Sequence, residues 1–105
     1  MKNKIKNQFR QGDVLIERTT DLPENSKNAP GRVILAHGEA TGHAHEIDME
    51  SAHAFQRDGQ TVAINVLKPS EVRHQEHAPI PVKRGKYRIT RQREYSPEAI
   101  RNVAD

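Results

Sequence analysis

The chain has 105 residues, 33% of them apolar and 30% charged, with six His, no Cys and a formal net charge of +3. That length suits one domain rather than two, the missing Cys exclude a disulfide framework, and no apolar run reaches the roughly 18 residues of a membrane helix. The pI near 9.4 leaves nucleic acid open as a partner without arguing for it.

Seven Val and eight Ile stand against four Leu and four aromatics. Branched side chains are stiff at χ1 and pack well on pleated sheets, so the inventory favours strands. Charge is unevenly spread. Residues 37–58 hold five acidic groups and one basic group, and residues 83–101 hold seven basic and two acidic. The acidic stretch overlaps the histidine-rich one, where a cation would favour it. The basic start, residues 1–7, has no hydrophobic stretch behind it, so cytoplasm is the expected compartment, with no membrane partner.

Residues 1–7 are expected to be a disordered basic N-terminus, and 8–105 a single β-rich domain. Residues 8–18 read as the first extended segment, with a turn at Gln11-Gly12-Asp13 before the apolar run Val14-Leu15-Ile16. Residues 19–31, with two Pro and no periodicity, read as an exposed loop. A second apolar run covers 32–37, and Gly38 and Gly42 break the pattern after it. His43, His45 and Ile47 then alternate with Ala44, Glu46 and Asp48, the period-2 signature of a strand.

A short strand at 52–56 meets Asp58-Gly59, a hairpin signal, and 61–68 follows with Val62, Ile64 and Val66 on one face. Pro69 ends that strand. Residues 71–77 are short and polar, 78–81 extended, and 86–95 the last strand. Ser96-Pro97-Glu98 supplies an N-cap, a first-turn Pro and an acidic residue, so 96–103 is expected to be one short helix. The expected fold is all-β, a small single-domain barrel or roll with that C-terminal helix.

The chemistry concentrates in histidines. On a strand His43 and His45 share a face with Cβ atoms about 7 Å apart, close enough for both imidazoles to reach one ion. Ala44 between them adds no bulk to the other face, and Gly42 lets the backbone come close. His74 and His77 flank Gln75-Glu76 between two prolines, where a bend is the natural geometry. Together these four would join distant parts of the chain around a divalent metal such as Zn, Fe, Mn or Ni. His37 is an extra ligand or an outer partner. The same groups without a metal, with Glu46, Glu50 and Glu76, would serve acid–base chemistry or a pH-responsive cluster. On the last strand Arg91 and Arg93 follow Tyr87 and Ile89 on one face. Either the strand leaves the core there, or the two guanidiniums bind an anion.

His43-Ala44-His45 followed by Glu50 resembles the first metal motif of the cupins. That likeness implies a small β-barrel with His43, His45 and Glu50 as ligands and His77 or His74 as the last. The second cupin motif, Pro-x-Gly-x-x-His with a later Asn, has no counterpart. Through QGDVLI, TGHAH, HQEH and GKYRITRQREYSPEAI the whole chain also resembles a group of short bacterial and phage-genome proteins of unassigned function. This likeness implies a bacterial or phage cytoplasmic origin and supplies no activity.

The function these readings lead to is metal-assisted chemistry on a small or phosphorylated substrate. Glu76 or Glu46 would move protons, and Arg91 or Arg93 would hold an anion. The alternative is a binding module for protein or nucleic acid, with the metal only structural, and a homo-oligomer fits either. Whether the chain is an enzyme stays open at this level.

Overall fold

The structure is a computed structural model and describes residues 7–38 and 41–92. The helix expected at 96–103, Arg93, and residues 1–6 lie outside the described residues. Among the described residues ten strands follow in chain order: β1 Gln8–Gln11, β2 Val14–Thr19, β3 Lys27–Ala29, β4 Val33–His37, β5 Ala44–Ile47, β6 Ala52–Arg57, β7 Gln60–Val66, β8 Ser70–Val72, β9 Ile80–Val82 and β10 Gly85–Arg91. Among the described residues there is no helix, so none is long and apolar enough to cross a membrane.

Six strands make one antiparallel sheet in the order β1-β2-β10-β7-β6-β3, and two hairpins, β4-β5 and β8-β9, stand apart from it. The six-stranded sheet ends at β1 and β3 and does not close. The architecture is thus all-β, as the composition implied, but an open sheet faced by smaller hairpins rather than a barrel. The hairpins are joined by a backbone pair, in which the amides of Glu46 and Arg73 each donate to the other's carbonyl at 2.9 and 2.8 Å.

The strand phases explain the core. Val14 and Ile16 of β2, Ala52 and Ala54 of β6, Ile64 and Val66 of β7, and Tyr87 and Ile89 of β10 alternate inward from the large sheet. Val33 and Leu35 of β4, Ile47 of β5, Val72 of β8 and Val82 of β9 meet them from the small layer. Each fully buried Val or Ile contributes about 1.5–3 kcal/mol, while ordering one residue costs about 1–2 kcal/mol. The three-residue strands β8 and β9, with one fully buried residue apiece, therefore need further ties.

Two turns show why the sequence folds where it does. Asp58 and Gly59 both take positive φ, 54° and 78°, as a two-residue hairpin turn demands. Gly12, at φ 60°, opens the turn between β1 and β2. β3 is the element sequence periodicity passed over: three polar or small residues, Lys27-Asn28-Ala29, made a strand only by pairing with β6. A register irregularity at Leu35 lets β4 stay paired with β5 on both sides of it.

Tyr87 is fully buried, and its hydroxyl donates to the Lys83 carbonyl at 2.7 Å while accepting from Arg18 Nη1 at 3.2 Å. Tyr87→Phe strands that carbonyl and is expected to cost about 1–2 kcal/mol in urea unfolding. Tyr87→Ala, which also leaves a cavity, is expected to cost about 3–5 kcal/mol.

Candidate metal centre

Four histidines expected to cluster do so. His43 precedes β5, where Gly38 N–H bonds to its carbonyl at 2.8 Å across the mouth of the β4–β5 hairpin. His45, two residues on, points to the same side. The opposing pair comes from the bend after β8. That bend is fastened to β5 by the Glu46–Arg73 backbone bonds and by the side chain of Gln75, whose Oε1 accepts from Ala44 N–H at 2.9 Å. His74 lies in the middle, with its ring centroid 5.5 Å from His43, 4.3 Å from His45 and 4.7 Å from His77. The rings of His45 and His77 are 6.0 Å apart and nearly parallel, at 17°.

His45 is the buried member, 2% exposed. Its orientation is set by Gln11, also 2% exposed at the end of β1. Both amide hydrogens of Gln11 go to carbonyls, Val72 at 3.0 Å and Ala78 at 2.9 Å, so Gln11 Oε1 can only accept. Its partner at 2.8 Å is His45 Nδ1, which must carry the proton. Nε2 is left with a bare lone pair. It faces not a donor but the Asp13 carboxylate, with Oδ1 at 3.9 Å. The other oxygen of Asp13 accepts from Arg91 Nε at 3.0 Å.

Burial holds the His45 pKa down from 6.5 to about 4. The neighbouring His74 lowers it next, Asp13 opposes, and His77 and Arg91 add smaller depressions. His74 is also lowered, by burial first and then by His77 and His43. The pair is thus held neutral, the state in which imidazole binds metals.

The remaining expected residues divide. Glu76 reaches the cluster, with Oε2 3.5 Å from His43 Nδ1, and is exposed. Arg91 joins it through Asp13. Glu46 does not: it lies on the other face of β5, and its two oxygens accept from Arg32 at 2.7 and 2.9 Å. Arg32 lowers the Glu46 pKa. His37 pairs directly with Ala44, on the face of the hairpin away from His45. Glu50 sits in the turn beyond the far end of β5, its backbone amide bonded to Asp48 Oδ1 at 3.1 Å.

Gln11, Asp13 and Gln75 were not singled out as functional from sequence. Gln11 had a signal: it shares the inward face of β1 with the partly buried Phe9, and a polar side chain there requires partners. Two glycines complete the site. A Cβ on Gly12 would stand 2.8 Å from His77 Nε2 and 3.4 Å from His45 Cε1. One on Gly38 would stand 2.8 Å from His43 Cβ and 3.0 Å from His74 Nε2. The rings lie directly on glycine backbone. Among the described residues, no three His, Asp or Glu side chains already converge on a single ion position.

Fold and site together define an all-β protein with a histidine cluster where a hairpin turn, a strand and a bend meet. The chain belongs to the family of DUF8820, a domain of unknown function, whose model matches residues 10–92. That span contains every residue of the cluster. No curated protein and no solved structure matches the chain.

The His45 shift fixes a pH dependence. The folded pKa lies below the unfolded one, so the unfolded chain takes up the proton first. The contribution is complete above about pH 6.5 and is lost as pH falls toward 4, at a slope of up to about 1.4 kcal/mol per pH unit. His74 acts in the same direction, whereas Glu46 enters only below its ordinary value of 4.5. Urea midpoints of metal-free protein are expected to fall between pH 6.5 and 4.5, and more shallowly in His45→Gln.

Proposed function

We propose that this chain is a divalent-metal-binding protein whose ion, of the Zn, Fe, Mn or Ni class, is held in the histidine cluster. The observation that carries the reading is the buried Nε2 of His45. Its tautomer is fixed by Gln11, no donor among the described residues approaches it, and a carboxylate stands opposite. Two acceptors facing each other at a partly buried site repel unless a cation, a proton or water lies between them. A second imidazole nitrogen, Nε2 of His77, overhangs the adjacent turn. Because no three ligands yet converge, closure on an ion requires side chains of the bend, where His77 is exposed, to swing inward.

Glu76 and His77 are exposed at the rim of the cluster, so an ion there keeps an open position, the arrangement of catalytic rather than structural sites. With Glu76 beside His43 as the proton carrier, the function is metal-assisted chemistry on a small or phosphorylated substrate. A second reading, a protein- or nucleic-acid-binding module stapled by its metal, is favoured by the span of the site, whose residues 11–13, 43–45 and 74–77 tie three distant segments together.

Elemental analysis of untagged protein is expected to find about one transition metal per chain. The His45→Ala/His77→Ala variant is expected to lose it while keeping its β-type circular dichroism. A metal-free parent that stays folded and takes up neither added Zn²⁺ nor Ni²⁺ would sink the proposal. If chelation lowers the melting temperature and abolishes no turnover or ligand binding, the staple reading takes its place.

A further inference from the structure

Resting on the metal-centre reading, we infer that Asp13 is the anionic ligand of that centre, acting with His45 and His77, and that His74 packs between the rings without ligating. Asp13 follows Gly12 in the β1–β2 turn, and Arg91 of β10 grips its Oδ2 at 3.0 Å. That grip leaves Oδ1 facing His45 Nε2 at 3.9 Å. A hydrogen bond does not span this distance, and His45 Nε2 carries no proton to donate. Two donors each about 2.0–2.2 Å from one ion stand at most about 4.4 Å apart and about 3.4 Å apart in a tetrahedron. The observed separation falls inside that interval.

His77 belongs with this pair by position. Its Nε2 and the Cε1 edge of His45 both lie over Gly12, the residue before Asp13, closely enough that a Cβ there would collide with His77. His74 differs on both nitrogens. Its Nδ1 accepts from Glu76 N–H at 3.0 Å, so the neutral ring carries its proton on Nε2. That Nε2 lies against the Gly38 backbone. The ring fills the space between His43 and His45, which is a packing role. Three donors, two imidazoles and one carboxylate, then leave the exposed side for a ligand from solution.

The test is titration of the metal-free parent, Asp13→Asn, Arg91→Gln and His74→Gln with Co²⁺, read by visible absorption and checked by circular dichroism. Asp13→Asn is expected to lose more affinity than the about 10–100-fold that removal of an outer partner costs. Arg91→Gln is expected to fall within that range and His74→Gln within about threefold. A variant-free measurement runs beside it: imidazole nitrogen NMR of the parent on adding Zn²⁺. It is expected to move His45 and His77 Nε2 and to leave His74 unligated, even if Asp13→Asn does not fold. Asp13→Asn binding like the parent, or His74 ligating in the NMR spectrum, overturns this assignment alone. A parent that binds neither ion overturns the metal centre itself.

Discussion

One amide, that of Gln11, ties the site to the fold. It accepts from His45 on β5 and donates to the carbonyls of Val72, at the end of β8, and Ala78, just before β9. Partners 34, 61 and 67 residues away in sequence are held by this one side chain, in a place where every bond must be made because water is excluded. β8 and β9 are too short to hold themselves by burial, so these two carbonyl bonds help fix the hairpin whose bend carries His74 and His77. The same bonds leave the amide oxygen no choice but to accept, and that choice sets the His45 tautomer. Structure and chemistry meet in one residue.

The neighbouring contacts extend this economy of parts. Gly12 and Gly38 bring backbone against the imidazoles of His77 and His74, so the cluster is bounded on two sides by chain rather than by side chains. Gln75 fastens the bend from its outer side through Ala44. The His-Gln-Glu-His bend therefore divides its work by position. Its second residue anchors to β5, its first and last turn toward the cluster, and Glu76 returns a hydrogen bond to His74 while its carboxylate approaches His43.

Much of this was legible in the sequence, and the part that was not has a physical cause. Period-2 alternation put His43 and His45 on one face, and the prolines on either side of residues 74–77 implied a bend. Both readings depend only on local geometry. Local pattern also placed the Asp58-Gly59 hairpin and the strand phases of β7 and β10. It did not reveal β3, whose residues have little strand preference and pair because β6 is there. Nor did it reveal that Glu46 faces Arg32, since the partner sits fourteen residues away across a hairpin. Gln11 and Asp13 were read as turn residues; Gln11 closes β1 and Asp13 lies in the turn after it. Their second role needs β5 and β10 beside them, and that juxtaposition is a product of sheet order, with β10 inserted next to β2 rather than following β9 at an edge.

Arg91 shows how sheet order converts an oddity into a device. By alternation it falls on the same face as Tyr87 and Ile89, inward, where an unpaired guanidinium would be costly. The register of β10 against β2 sets Arg91 opposite Val14, next to Asp13, so an anion is waiting where the strand delivers the charge. A half-exposed ion pair of this kind contributes little to stability, about 0–1 kcal/mol. Its consequence is geometric. One carboxylate oxygen is engaged, the other is aimed at His45, and the strand face that begins as core ends as the floor of the cluster. A charged residue on a core-facing strand position, too weakly paired to matter for folding, is best explained by what its partner must face.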